Sequence, residues 1–156
     1  MTRQITLDDL RAAYKRTTSR IYRILEDGYD FGVDQLIVEA LDRDALIVDA
    51  AFFVLIFGQI ESRLNALAIR RVGTDRKRPA AMREAKFEKR LEHALPGPES
   101  ADLRREIGGW YDTRSDAAHG GRLTYTYDVA AVFDRAFQFD ELVTTQLNEP
   151  DNPGEG

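Results

Sequence analysis

Apolar residues recur at helical spacing along most of the chain, and strand-like alternation is confined to LTYTY at 123–127. Thr6-Leu-Asp-Asp9 has the form of a capping box with Asp in place of Glu. The residues after it, Leu10, Tyr14, Thr17, Ile21 and Ile24 or Leu25, predict a first helix over about 7–27 that Gly28 closes. The stretch YDFGVDQLIVEALDRD fits either a short helix or an irregular connection. Asp44 then introduces a long helix to about Val72, apolar nearly all round through AFFVLIF, the pattern of a bundle's central helix with no wet face. Gly73 and Thr74 end it. Pro79 is placed to start a third helix with a narrower stripe of Met82, Ala85 or Lys86, Phe87, Leu91 and Ala94 or Leu95, and PGP at 96–98 stops it. A fourth helix begins at Glu99 and puts Leu103, Ile107, Trp110 and Ala117 or Ala118 on one face. Gly108-Gly109 weakens its middle and Gly120-Gly121 marks its end. After RLTYTY, a fifth helix from about Asp128 to Leu147 carries Val129, Val132 or Phe133, Ala136 or Phe137, Leu142 and Val143.

These elements predict an all-α protein, an antiparallel bundle of four to five main helices in one domain over 1–147, with a disordered tail at 148–156. Composition agrees: 156 residues, 43% hydrophobic and 31% charged, suit a single domain with a real core. With no cysteine and two histidines, His93 and His119, neither a disulfide framework nor a thiolate or all-histidine metal site is expected, and no Gly-rich phosphate loop suggests a cofactor. MTRQITLDDL lacks the apolar run of a signal peptide. The longest apolar stretch, Ala45 to Ile60, contains Asp49 and is too short to span a bilayer, so a soluble, cytoplasmic protein with no membrane partner is expected. The formal net charge of -5 argues against a surface that holds nucleic acid throughout, but leaves room for a local patch. Arg70, Arg71, Arg76, Lys77 and Arg78 form one, opposed only by Asp75; it reads either as a solvated helix end and loop or as an RNA-binding surface.

Extending the stripe of the fourth helix carries Leu103, Ile107 and Trp110 on to Arg114 and Ala118. An arginine on a buried face is costly unless it is paired or faces a site or an interface, so Arg114 calls for an explanation. His119 stands five residues later. On a regular helix that is a rotation of roughly 140° and a rise of about 7.5 Å, so the two would not share a face. Closing the helix near His119, at the glycine pair, would let the imidazole swing toward the guanidinium. There the helix C-terminus favours a protonated ring and the arginine opposes it. Glu61, just past the apolar run of the central helix, can orient Arg114 or pair with Arg63. Asp49 is a second candidate partner, further along that helix. Asp116 can bond to His119 or face solvent, and His93, beside the stripe of its helix, reads as solvated.

The segment WYDTRSDAAHGG resembles the Arg-x4-6-His signature of the HEPN (higher eukaryotes and prokaryotes nucleotide-binding) superfamily, here with four residues between Arg114 and His119. The similarity extends over about 45–147: a long hydrophobic helix reading FVLIFGQIESRLNALA, a helix like KFEKRLEHAL, the motif helix, then a last amphipathic helix. Ser115 occupies the position after the arginine, where many members carry Asn. Gly121 stands where members paired with a nucleotidyltransferase antitoxin often have tyrosine. The resemblance implies a metal-independent endoribonuclease, often a toxin or defence protein and sometimes paired with an antitoxin, whose two protomers bring their motifs into one cleft.

In that chemistry the RNA supplies the nucleophile, its own 2′-OH, so the protein must provide a proton acceptor, a proton donor and positive charge at the phosphorus. Arg114 and His119 would be the catalytic pair, with Ser115, Asp116 and Glu61 in support. One histidine cannot easily hold both proton roles at once. A homodimer through the motif helix would bring a second and would account for an arginine on an apolar stripe. Two other readings stay open: a non-catalytic nucleotide-binding or protein-interaction module, and an RNA-binding protein that uses the 70–78 patch.

Overall fold

The computed structural model describes residues 4–31, 35–74, 86–118 and 127–149. Five α-helices make up the described chain: α1 (Leu7–Phe31), α2 (Gln35–Thr74), α3 (Phe87–Ala94), α4 (Ala101–Ala118) and α5 (Val129–Asn148), with a 3-10 turn at Pro98–Ser100 ahead of α4. The protein is all-α.

The capping box at the start of α1 is formed. The Asp9 amide donates to Thr6 Oγ1 at 3.2 Å, and the Thr6 amide donates to Asp9 Oδ2 at 3.1 Å, satisfying donors that the helix leaves free. Gly28 does not end this helix, which continues to Phe31 with Gly28 buried. A mid-helix glycine costs only about 1 kcal/mol, and the seam it packs into outweighs that. The second helix starts earlier than its sequence pattern suggested. It begins at Gln35, so Asp44 lies inside it, and the ambiguous stretch before Asp44 is helical from Gln35 onward. The third helix begins at Phe87, because Lys86 before it has a non-helical ψ of 152°, so it is not the continuation of one helix started at Pro79; residues 79–85 fall outside the described residues, as do the C-terminal residues from Pro150 onward.

α2 is the axis of the molecule. Phe53, Ile56, Phe57, Ile60, Leu64 and Leu67 bury one of its faces in a core closed by Leu7 and Leu10 of α1, Phe87 and Leu91 of α3, Ile107 and Trp110 of α4, and Phe133, Phe139 and Val143 of α5. Aromatic contacts join the layers: Tyr14 meets Phe52 edge-on at 5.2 Å, and Phe57 lies 5.5 Å from Phe87. The opposite face of α2 corrects the expectation of a helix with no wet side. Ile47 is 66% exposed and Leu55 50%, with Leu46 and Val54 also open.

Side-chain pairings give the helix directions. α1 runs against α2, since Tyr14 donates to Asp49 Oδ1 at 2.8 Å while Leu7 and Leu10 reach the main core further along α2. α3 against α4 and α4 against α5 are also antiparallel: Tyr111 stacks on Phe87 at 4.4 Å while the Arg104 guanidinium donates to the Leu95 and Gly97 carbonyls, and Arg135 meets Glu106 at 2.9 Å while Thr113 meets Tyr127. Antiparallel order fails between α2 and α3, where Phe57 pairs with Phe87 and Asn65 with Arg90 in the same sense along both helices. A long connection between them permits this. The PGP stop works through Gly97, whose φ of 88° is a conformation that only glycine adopts cheaply.

Candidate functional site

Three buried residues, Leu103, Ile107 and Trp110, fix the rotation of α4, and the next step of four along that face is Arg114. Its side chain lies where the core thins, 40% exposed, and Nη2 stands 3.4 Å from Oε2 of Glu61, a carboxylate 25% exposed. Glu61 follows Ile60, one of the run of buried α2 residues that extends from Phe53 to Leu67. The core therefore sets both partners. Packing against Phe53 aims Trp110, with ring centroids 6.3 Å apart, and the same turn of α4 carries Arg114 across to α2.

The other candidate partners are engaged elsewhere. Asp49 accepts the Tyr14 hydroxyl at the α1 seam, well away from Arg114, and Arg63 pairs with Asp140 of α5 at 2.6 Å, which leaves Glu61 to Arg114. Half exposed, this ion pair contributes on the order of 1 kcal/mol or less to stability. Its consequence is positional: the carboxylate stands beside one edge of the guanidinium through a single contact and draws the Arg114 side chain toward α2.

A second constraint sits one residue earlier. Thr113 Oγ1 donates to the Gly109 carbonyl at 3.1 Å and lies 3.1 Å from the Tyr127 hydroxyl, while the Tyr127 ring stacks on Phe53 at 5.3 Å with an interplanar angle of 9°. Tyr127 ties the chain after the motif back to the turn that presents Arg114. Sequence reasoning passed over Thr113 and Tyr127 as site-shaping residues; the only signal was the aromatic alternation of LTYTY. One turn before Arg114, the buried indole N–H of Trp110 has no acceptor among the described residues.

Of the remaining sequence candidates, Ser115 is half-buried on α4 beside Arg114, and Asp116 lies in the last turn of α4, with its side chain outside the described residues. His119, Arg76, Lys77 and Arg78 fall outside them altogether, and Arg71 is described only as part of the α2 backbone. Arg70 turns toward α5, where Nη1 donates to the Gln146 carbonyl at 3.0 Å and Nη2 to that of Glu149, capping the end of that helix. His93 is exposed. Among the described residues no three His, Asp or Glu side chains converge as a metal ion would require.

Fold and site together define a helical bundle that carries an arginine at the edge of its core, held by a carboxylate from the central helix and followed five residues later by a histidine. No family model matches the chain, and neither the curated proteins nor the solved structures compared with it offer a match.

Proposed function

We propose that this protein is a metal-independent endoribonuclease of the HEPN type that works as a homodimer in the cytoplasm. The observation that carries the reading is the Glu61–Arg114 pair. An arginine on the apolar stripe of the motif helix is oriented rather than buried, five residues ahead of the histidine in the signature. In the reaction His119 of one protomer takes the proton of the substrate 2′-OH, the 2′ oxygen bonds to phosphorus, and the P–O5′ bond breaks. His119 of the partner subunit protonates the departing 5′ oxygen. The products are a 2′,3′-cyclic phosphate and a 5′-hydroxyl. Arg114 holds the non-bridging oxygens as charge grows on them, Glu61 positions the arginine, and Ser115 and Asp116 lie on the same turn to support it. Arg71, Arg76, Lys77 and Arg78 would guide the RNA, and Arg70 sits at the base of that patch.

A toxin or defence role, with an antitoxin as partner, belongs to the same proposal. Induction of the wild type in a bacterium should arrest growth and degrade cellular RNA, and His119→Ala should abolish both. If both proteins are expressed and both are harmless, the alternative takes precedence: a non-catalytic helical module that binds a nucleotide or a protein. The open apolar face of α2 is the feature that favours this alternative.

A further inference from the structure

The distal parts of α1 and α2, residues 15–28 and 35–50, lie outside the main core cluster, which takes only Leu7 and Leu10 from α1 and begins at Phe53 in α2. Only Leu25, Gly28 and Val38 are buried in this arm. A pair of helices has one seam, and the arm has more apolar surface than one seam can cover. Tyr22, Ile24, Leu36, Ile37, Leu46 and Ile47 are all about half or more exposed. The open strip continues along α2 through Val54 to Leu55, about 30 Å of helix. Exposed large apolar side chains clustered in this way characterise an interface rather than a solvated face.

The charges in the arm are unevenly divided between the helices. Lys15, Arg16, Arg20 and Arg23 of α1 are all exposed with no acid among them, and the exposed Glu26 and Asp27 follow only at the far end. α2 answers with Glu39, Asp42, Asp44 and Asp49 against the single Arg43, which is already beside Glu39 at 3.9 Å. Among the described residues no ion pair joins Arg16, Arg20 or Arg23 to Asp42 or Asp44. The surface is therefore complementary to itself: turned about a two-fold axis, the basic α1 of one copy meets the acidic α2 of another. The length and apolarity of Gln35–Ala68 would also permit a membrane span. Asp49 inside the apolar stretch, bonded to the Tyr14 hydroxyl, and the burial of Phe53, Ile56, Phe57 and Ile60 in the core favour a protein surround over lipid.

We infer that the α1–α2 arm is a self-association surface, on which two copies of this chain pack α1 against the partner's α2 to complete an intermolecular four-helix bundle. This surface is separate from the cleft proposed around Arg114, since Ile47 and Glu61 lie about 20 Å apart along α2.

Sedimentation velocity of the full chain between about 1 and 100 µM gives the test. The wild type should associate reversibly, and Ile47→Asp, at an exposed position that leaves the core untouched, should weaken the association by tenfold or more with an unchanged circular dichroism spectrum. The double variant Arg20→Glu/Arg23→Glu should weaken it by about threefold to tenfold, and adding Asp42→Arg/Asp44→Arg should restore it. A monomeric wild type at all concentrations overturns the inference. So does unaltered association of Ile47→Asp, or flotation of monomeric wild type with phosphatidylglycerol vesicles. Association that Ile47→Asp leaves unaltered overturns this inference and leaves the catalytic homodimer standing, whereas a wild type that is monomeric throughout removes both; loss of RNA cleavage, read in a separate assay, leaves this inference intact.

Discussion

Replacing Arg114 by methionine separates a structural arginine from a catalytic one. The substitution keeps an unbranched apolar stem on the stripe of α4 and removes only the guanidinium. At 3.4 Å the Arg114–Glu61 attraction would be roughly 1 to 5 kcal/mol for effective dielectric constants between bulk water and a protein surface. With side chains 40% and 25% exposed, the lower end applies, and half-solvated pairs typically contribute below about 1 kcal/mol. For a chain of this length that corresponds to a melting shift of about 2–4 °C at most. The expected loss of transition-state stabilisation is larger. Withdrawing a charged donor from the oxygens of a developing phosphorane costs about 10²- to 10³-fold in rate, or some 3–4 kcal/mol. Single-turnover cleavage of a 5′-labelled RNA, run beside thermal melting of the same preparations, measures both quantities. Glu61→Gln completes the experiment: alone it should slow cleavage about threefold to tenfold, and in the Arg114→Met background it should have no further effect, because it acts through the arginine. Cleavage by Arg114→Met within threefold of wild type, or a rate loss that only follows unfolding, would refute the reasoning.

Gly108→Ala should raise stability by about 0.5–1 kcal/mol, because a Cβ there meets no atom within 4 Å and the helix gains propensity; chemical denaturation measures it. The reverse holds at Gly97, where φ is 88° and a Cβ would collide with the Glu99 carboxylate, so Gly97→Ala should lower the denaturation midpoint by the equivalent of about 1 kcal/mol or more. Tyr14→Phe removes the hydroxyl that Asp49 accepts at 2.8 Å and should cost about 1–3 kcal/mol in the same assay, while leaving any RNA cleavage by the folded protein unchanged.

The parts of this structure that could be read from sequence are those governed by local rules. Thr6 and Asp9 meet because a capping box is closed within four residues, and α4 turns Arg114 toward α2 because Leu103, Ile107 and Trp110 leave it no other rotation. The choice between Glu61 and Asp49 as its partner was not legible. It depends on where α1 places the Tyr14 hydroxyl and on Asp140 of α5 capturing Arg63, and both are tertiary facts. Gly28 misled because the propensity cost of one glycine, about 1 kcal/mol, is too small to stop a helix by itself. On α2, a run such as AFFVLIF is apolar on every face, and that pattern does not distinguish a surface covered by the same chain from one left open at Ile47, Val54 and Leu55.

The most direct measurement of the central claim is to incubate purified wild type and His119→Ala with a defined single-stranded RNA in excess EDTA and determine the chemistry of the new ends. Cleavage by the wild type to 2′,3′-cyclic phosphate and 5′-hydroxyl termini, reduced by roughly 10²- to 10⁴-fold in His119→Ala, is the expected result. Intact RNA with the wild type, cutting that appears only when a divalent metal is added, or equal rates for the two proteins would contradict it.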